Sequence, residues 1–310
     1  MLKYAGIFVL GLALVFLLSI RTPVSSKVLP TRIPAPTSIP ASHTASPSSQ
    51  VFPRIGKVTA SFGPKDPVYE AAIASHQVHN DLHGYPQFIL HERMLPGLWS
   101  KHAFLLTILG AELAKPAAER LEWLFWHDRD TILMNPKVPL QVFLPPVQDV
   151  HLVVTNDRHG LNNGVFFIRV NEWAIRFFAA ALSLKEYNPD IQLKYSEQSA
   201  MEEVSMRQYF SSAIAHVPQR WFNGFPPNQA HPDKPSLARP ASLLIHFASN
   251  RDGKRPERMA YWVARSKGDE WIKPLNETGY PAELEEYWAR TGKGEDVENL
   301  CKEIGARVWT

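Results

Sequence analysis

The chain opens on an apolar run. Positions 4–20 carry no charge, and Lys3 and Arg21 bound them. At about 1.5 Å of rise per helical residue, such a run approaches the thickness of a bilayer core. It stands at the short end for a span, which suits a thin early-secretory bilayer. It is longer than the apolar part of most signal peptides, and no small-residue cleavage site follows. A retained signal-anchor over 1–21 is therefore expected, with a cleaved signal peptide as the alternative. Lys3 favours a cytosolic N-terminus, while Arg21, Lys27 and Arg32 pull the other way, so charge alone leaves the orientation open. Residues 22–53 then lose all periodicity. Pro30, Pro34, Pro36, Pro40 and Pro47 alternate with Ser and Thr, a composition that stays extended and reads as a stem.

From residue 54 the pattern switches between short apolar runs and helical stripes. Strands are predicted over 57–63, 87–90, 121–126, 150–154, 165–169 and 242–247. Helices are predicted over 67–83, 99–113, 172–184 and 197–210, with a helical tail from 255 to about 301 that is interrupted near 274–281. In the first helix Val68, Ala71, Ala72 and Val78 are the expected buried positions. The run 121–126 is apolar almost throughout, as a strand covered on both faces must be. Strands alternating with helices predict an α/β fold, with a mostly parallel central sheet flanked by helices, over a single domain at 54–310.

Composition narrows the partners. An apolar share of 45% builds a core, and a net charge of +3 with scattered Lys and Arg argues against a nucleic-acid face. The single Cys301 excludes an intrachain disulfide and a thiolate zinc cluster, and is expected to be structural. Asn276-Glu277-Thr278 is a sequon, so Asn276 is a candidate glycosylation site if the domain is lumenal.

The candidate chemistry sits where the 121–126 strand ends, in His127-Asp128-Arg129-Asp130. Two carboxylates two residues apart share one side of an extended backbone. They lie past the C-terminal end of a buried strand, where open α/β sheets bind ligands. A hard divalent cation relieves their repulsion and also binds phosphate oxygens.

The run 120–136 resembles the D-x-D block of glycosyltransferase family 34. Three further blocks agree in order: 155–169, 197–201 and 216–223, followed by His246-Phe247-Ala248-Ser249 where the family has H-F-A-G. The resemblance covers roughly 56–262. It implies a GT-A fold, type II topology with a lumenal catalytic domain on a Golgi membrane, and retaining transfer from a nucleotide sugar. The donors it implies are UDP-galactose or GDP-mannose, the acceptor a mannose-containing glycan, and the cofactor Mn²⁺ (or Mg²⁺). It makes Asp128, Asp130 and His246 the metal ligands. Glu197 and Gln198 fall in the sugar pocket, where a carboxylate stabilises positive charge at the anomeric carbon; an N-terminal helix carboxylate is the plain alternative for Glu197. Asp157 is either a donor-sugar contact or a turn residue. Asn162, Asn163 and Gly164 offer sugar contacts, or form a hairpin turn. Lys101 and Arg251 are chosen to balance the diphosphate. Trp221 and Phe222 are either acceptor-groove walls or core.

Two positions depart from the family. Arg129 stands between the aspartates, where it either faces solvent or pairs with a carboxylate. Ser249 replaces a glycine beside the metal histidine. Both leave room for a weakly active or non-catalytic subunit of a glycosyltransferase complex.

Overall fold

The computed structural model describes residues 53–228, 231, 234–307 and 309. The expected anchor and, but for Pro53, the stem lie outside the described residues. Among the described residues, no helix is long and apolar enough to cross a membrane.

The strands are β1 (Ile55–Ala60), β2 (Gln87–Leu90), β3 (Trp123–His127), β4 (Thr131–Leu133), β5 (Leu152–Asp157), β6 (Gly160–Arg169), β7 (Ile214–Val217) and β8 (Leu244–His246). The helices are α1 (Pro67–His83), α2 (Ser100–Leu113), α3 (Glu172–Leu182), α4 (Leu184–Tyr187), α5 (Glu197–Ser205), α6 (Gln208–Ser211), α7 (Arg255–Arg265), α8 (Tyr280–Thr291) and α9 (Val297–Ala306). Six strands form one sheet in the order β2-β1-β3-β6-β5-β7, and β4 pairs with β8 in a second, two-stranded sheet. The pairings of β1 with β2 and β3, and of β5 with β7, are parallel. Strand β6 is antiparallel to both neighbours, so the sheet is mostly parallel with one reversed strand at its centre.

The continuous apolar runs are explained by cover on both faces. On β3, Trp123 and Phe125 enter one cluster with Tyr280 and Ile304 of α8 and α9. Leu124 and Trp126 enter the other, with Leu105 of α2 and Phe177 of α3. Each such aromatic contributes about 1.5–3 kcal/mol by leaving water. Helix α3 shows how local signals and packing agree. The Asn171 side chain accepts from the Ala174 N–H at 3.0 Å, and Ala174, Phe177, Phe178 and Ala181 form one buried stripe.

Several expectations are corrected. Helix α1 has its expected bounds, because the Asp66 side chain caps its start and Gly84, at φ 72°, ends it. Its buried face is only partly the expected one: Ala72 is buried, but it is joined by Tyr69, His76, His79 and Asn80, and Val78 is exposed. Residues 160–164 are not a loop. They are the first half of β6, and the hairpin turn is Arg158-His159, between the paired Asp157 and Gly160. The predicted 197–210 helix is broken into α5 and α6. Strands β4 and β7 were not predicted. Trp221 and Phe222 are fully buried core. The Cys301 thiol donates to His216 O at 3.3 Å, and burial pushes its pKa up to about 12, so it is inert at neutral pH. Asn276 is exposed, in a short 3₁₀ turn over Leu275–Glu277.

Candidate active site

Three segments build the site. At the end of β3 the Asp128 N–H donates to Gly164 O of β6 at 2.8 Å. The chain then turns instead of staying extended: the Thr131 N–H donates back to Asp128 O at 3.2 Å. The aspartates therefore meet across a turn rather than along a pleat. Thr131 opens β4 and pairs with His246 in β8, and the Phe247 N–H donates to Asp130 O at 2.9 Å. This short ladder carries His246 to the turn. One ligand atom from each of Asp128, Asp130 and His246 lies within 4.8 Å of the others.

The histidine is aimed. Its Nδ1–H donates to Asn223 Oδ1 at 2.7 Å, while Asn223 Nδ2 donates to Thr155 Oγ1 at 2.8 Å. That arrangement fixes the amide and turns Nε2 toward the carboxylates, 3.5 Å from Asp130 Oδ1. Two carboxylates suit Mn²⁺ or Mg²⁺, which prefer oxygen ligands, and the added imidazole is better tolerated by Mn²⁺.

Cations surround the aspartates. Asp128 Oδ1 accepts from Trp126 Nε1 at 2.8 Å and lies 3.0 Å from Lys101 Nζ. Lys101 is buried and also donates to Asn163 O at 2.8 Å. Asp130 Oδ2 accepts from Arg255 at 2.5 Å. Burial pushes the Asp130 carboxyl up, but the hydrogen bond and charge of His246 and the Arg255 guanidinium outweigh it, and it titrates below its ordinary range.

These carboxylates line a cleft of about 580 Å³, inside the ~300–1,000 Å³ span usual for small-molecule sites. Lys101, Asn162, Asn163, Gly164, Glu197 and Gln198 line the same cleft. Glu197 is buried, which raises its pKa against the opposing Lys101, 3.8 Å away. Its Oε1 lies 3.5 Å from Asn163 Nδ2, and its Oε2 has no partner among the described residues. Gln198 Oε1 accepts from the Asn163 N–H at 3.3 Å. Asp157 and Arg251 stand apart, on the wall of a neighbouring cleft of about 1810 Å³. The Asp157 carboxylate is engaged in its own hairpin, by the His159 N–H at 2.6 Å and Asn162 Nδ2 at 2.8 Å.

The two departures from the family pattern have local accounts. Arg129 takes neither expected course: it donates to Phe62 O at 2.7 Å and stacks on Tyr69 at 4.2 Å, away from the carboxylates. Ser249 sits at φ 71°, a conformation that costs a non-glycine residue about 1–3 kcal/mol.

Sequence reasoning missed Trp126 and Asn223 as site residues, and among the basic residues after His246 it chose Arg251, where the structure brings Arg255 to Asp130. Asn223 closes the 216–223 block, whose spacing was its only signal. Gly164 has a role beyond contact with a sugar. A Cβ there would lie 2.1 Å from His246 Cε1 and 2.8 Å from Nε2. Gly164→Ala is expected to cost about 1–3 kcal/mol by overpacking. It should also lower Mn²⁺ affinity at least ~10-fold by displacing the ring. Calorimetric titration with Mn²⁺ reads this, and unchanged affinity would detach His246 from the metal set.

Residues 142–255 match the model of the galactosyl transferase GMA12/MNN10 family. The match takes in the 155–169, 197–201 and 216–223 blocks and His246. It begins beyond Asp128 and Asp130, whose place in the site rests on the geometry above. Over 129 residues the chain is 31% identical to galactomannan galactosyltransferase 1 of Cyamopsis tetragonoloba. That stretch is 39% of this chain and 28% of the relative, so the chain spans well under half of the relative it matches. In fold it is similar to a glycosyltransferase involved in the glycosylation of the major capsid of PBCV-1. The TM-score is 0.53 at 16% identity, over 67% of this chain and 100% of that one. This likeness shows the fold, and the α/β architecture with its mostly parallel sheet is that of a GT-A-like glycosyltransferase.

Proposed function

We propose that this chain is a retaining glycosyltransferase that moves a hexose, galactose or mannose, from a nucleotide sugar to a mannose-containing glycan. The observation that carries the reading is the convergence of Asp128, Asp130 and His246 at the mouth of a cleft, at the end of a central strand. The family match and the fold support it. Asp128, Asp130 and His246 would hold Mn²⁺ or Mg²⁺, and a bound ion supplies charge neutralisation to the leaving diphosphate.

The chain's own residues do the rest. Lys101 fixes Asp128 and Asn163 together, and so joins the metal side of the cleft to its sugar side. Glu197 lines the cleft with a buried carboxylate whose Oε2 has no partner among the described residues, a charge suited to stabilising positive charge at the anomeric carbon. A covalent route needs a carboxylate nucleophile in the cleft, and among the described residues Asp157 is held in its own hairpin on the wall of the neighbouring cleft. Front-face attack, with the leaving phosphate taking the acceptor proton, is therefore the route we favour. The larger neighbouring cleft, continuous through Asn162, Gln198 and His246, has the size for an extended acceptor. In this reading residues 4–20 anchor the chain in a Golgi membrane, with the domain lumenal and Asn276 open to glycosylation.

The test incubates the purified full chain with Mn²⁺ and a panel of UDP- and GDP-sugars, with and without a mannoside acceptor. Release of nucleotide from one donor, abolished by EDTA, is expected. The anomeric signal of the product should keep the donor's configuration by NMR. A second reading, a non-catalytic subunit of a glycosyltransferase complex, draws on the ion pairs that engage both aspartates. Silence across the panel from a folded chain would favour it.

A further inference from the structure

Asp130 has two carboxylate oxygens with different neighbours. Oδ1 faces His246 Nε2 at 3.5 Å, and Oδ2 accepts from Arg255 Nη1 at 2.5 Å. Arg255 is the first residue of α7, at the end of the segment that leaves the metal histidine. It fastens that segment to itself as well. Its Nε lies 3.4 Å from Ser249 O, and its backbone N–H donates to Asn250 Oδ1 at 2.8 Å. Ser249 and Gly253, at φ 71° and 70°, bend the chain between the two ends. The Arg255 side chain lines the smaller cleft, as Lys101 does.

A guanidinium remains charged at any working pH and carries five donors in a rigid fork. Here the fork is placed between a carboxylate that suits a divalent ion and a cleft that suits a diphosphate. These two uses oppose each other. A cation on Asp130 competes with a divalent ion for the same carboxylate and repels it. A cation facing the cleft attracts phosphate oxygens with charge-assisted hydrogen bonds.

We propose that Arg255 is a donor-capture residue that exchanges partners. It neutralises Asp130 when no nucleotide is bound, and it takes an oxygen of the donor diphosphate when a divalent ion takes Asp130. The exchange makes ion and nucleotide binding mutually reinforcing, because each removes a cost from the other. This rests on the reading of Asp128, Asp130 and His246 as a metal site.

The test measures binding, not turnover, on the purified full chain. Mn²⁺ alone is titrated by electron paramagnetic resonance, and UDP and GDP are titrated by calorimetry in saturating Mn²⁺. In Arg255→Gln, affinity for Mn²⁺ alone should rise about fivefold, the scale of a unit-charge repulsion over a few ångström in a solvated site. Affinity for the preferred nucleotide should fall about tenfold, the scale of a lost charge-assisted hydrogen bond. Arg255→Lys, which keeps the charge but not the fork, should hold Mn²⁺ affinity near wild type and recover part of the nucleotide affinity. A fall in affinity for Mn²⁺ alone would mean that Arg255 only orients Asp130, and would overturn the exchange. Unchanged nucleotide affinity would overturn it as well. If the wild-type chain binds neither Mn²⁺ nor nucleotide, the metal-site reading itself fails. Binding by wild type with no effect of Arg255→Gln refutes the exchange alone.

Discussion

Asp130→Ala is expected to remove Mn²⁺-dependent nucleotide release by about 10³-fold or more, the scale of several kcal/mol of lost charge stabilisation. The fold should survive. The backbone contact between Phe247 N–H and Asp130 O does not need the side chain, and the β4–β8 ladder stays paired. Arg255 loses its carboxylate partner but keeps Ser249 O, and it is only partly buried, so water can serve it. The measurement is a Mn²⁺ titration of nucleotide release, with thermal unfolding followed in parallel. A variant that keeps a tenth of wild-type activity would take Asp130 out of the metal set. His246→Ala should act in the same direction and also orphan Asn223 Oδ1, which now accepts from the ring.

Acid should destabilise the domain steeply. Burial, and then the charge of Lys101 for His102 and of Lys57 for His127, lower the pKa of each of these histidines to about 3. Each ring is therefore neutral in the folded chain at pH 5, while the unfolded chain binds protons near pH 6.5. The folded state gains nothing from acid, so the stability present at and above pH 6.5 is lost as pH falls below it. At pH 5 the loss is about 2 kcal/mol for each of the two. His76 and His79, lowered by burial first and by neighbouring charges second, add to it in the same direction. Denaturant unfolding at pH 7 and pH 5 reads the total, and a flat profile would refute it. His102 separates the cause. Neither ring nitrogen has a partner among the described residues, so His102→Leu should leave stability at pH 7 equal or higher and remove that residue's share at pH 5.

The histidines also show where sequence reading reached its limit. The bounds of α1 were legible because an Asp cap, a Pro at the first turn and a Gly at the end act locally. Of its inward face only Ala72 was. The stripe was sought among Val68, Ala71, Ala72 and Val78, yet the helix buries His76 and His79 against Lys57 and Thr131. Apolar periodicity cannot reveal a buried stripe that is polar. The same holds at Asn162-Asn163-Gly164, where local turn chemistry suggested a hairpin and sheet pairing made a strand.

Asp128 and Asp130 were legible as a pair, because a D-x-D directly after an apolar strand is a local pattern. The order of the blocks through 155–169, 197–201 and 216–223 was also in the sequence, and it was enough to name the family that residues 142–255 match. The sequence by itself determined the alternation of strands and helices, the sheet's central runs and the residue types of the candidate metal set. Only the tertiary structure decided how they meet. The three-residue pairing of β4 with β8 brings His246 to Asp130, Gly164 leaves room for its ring, and Arg255 closes on the same carboxylate. Those contacts join segments far apart in the chain, and β4, the strand that receives His246, is too short to carry a pattern, so no local signal could have contained them.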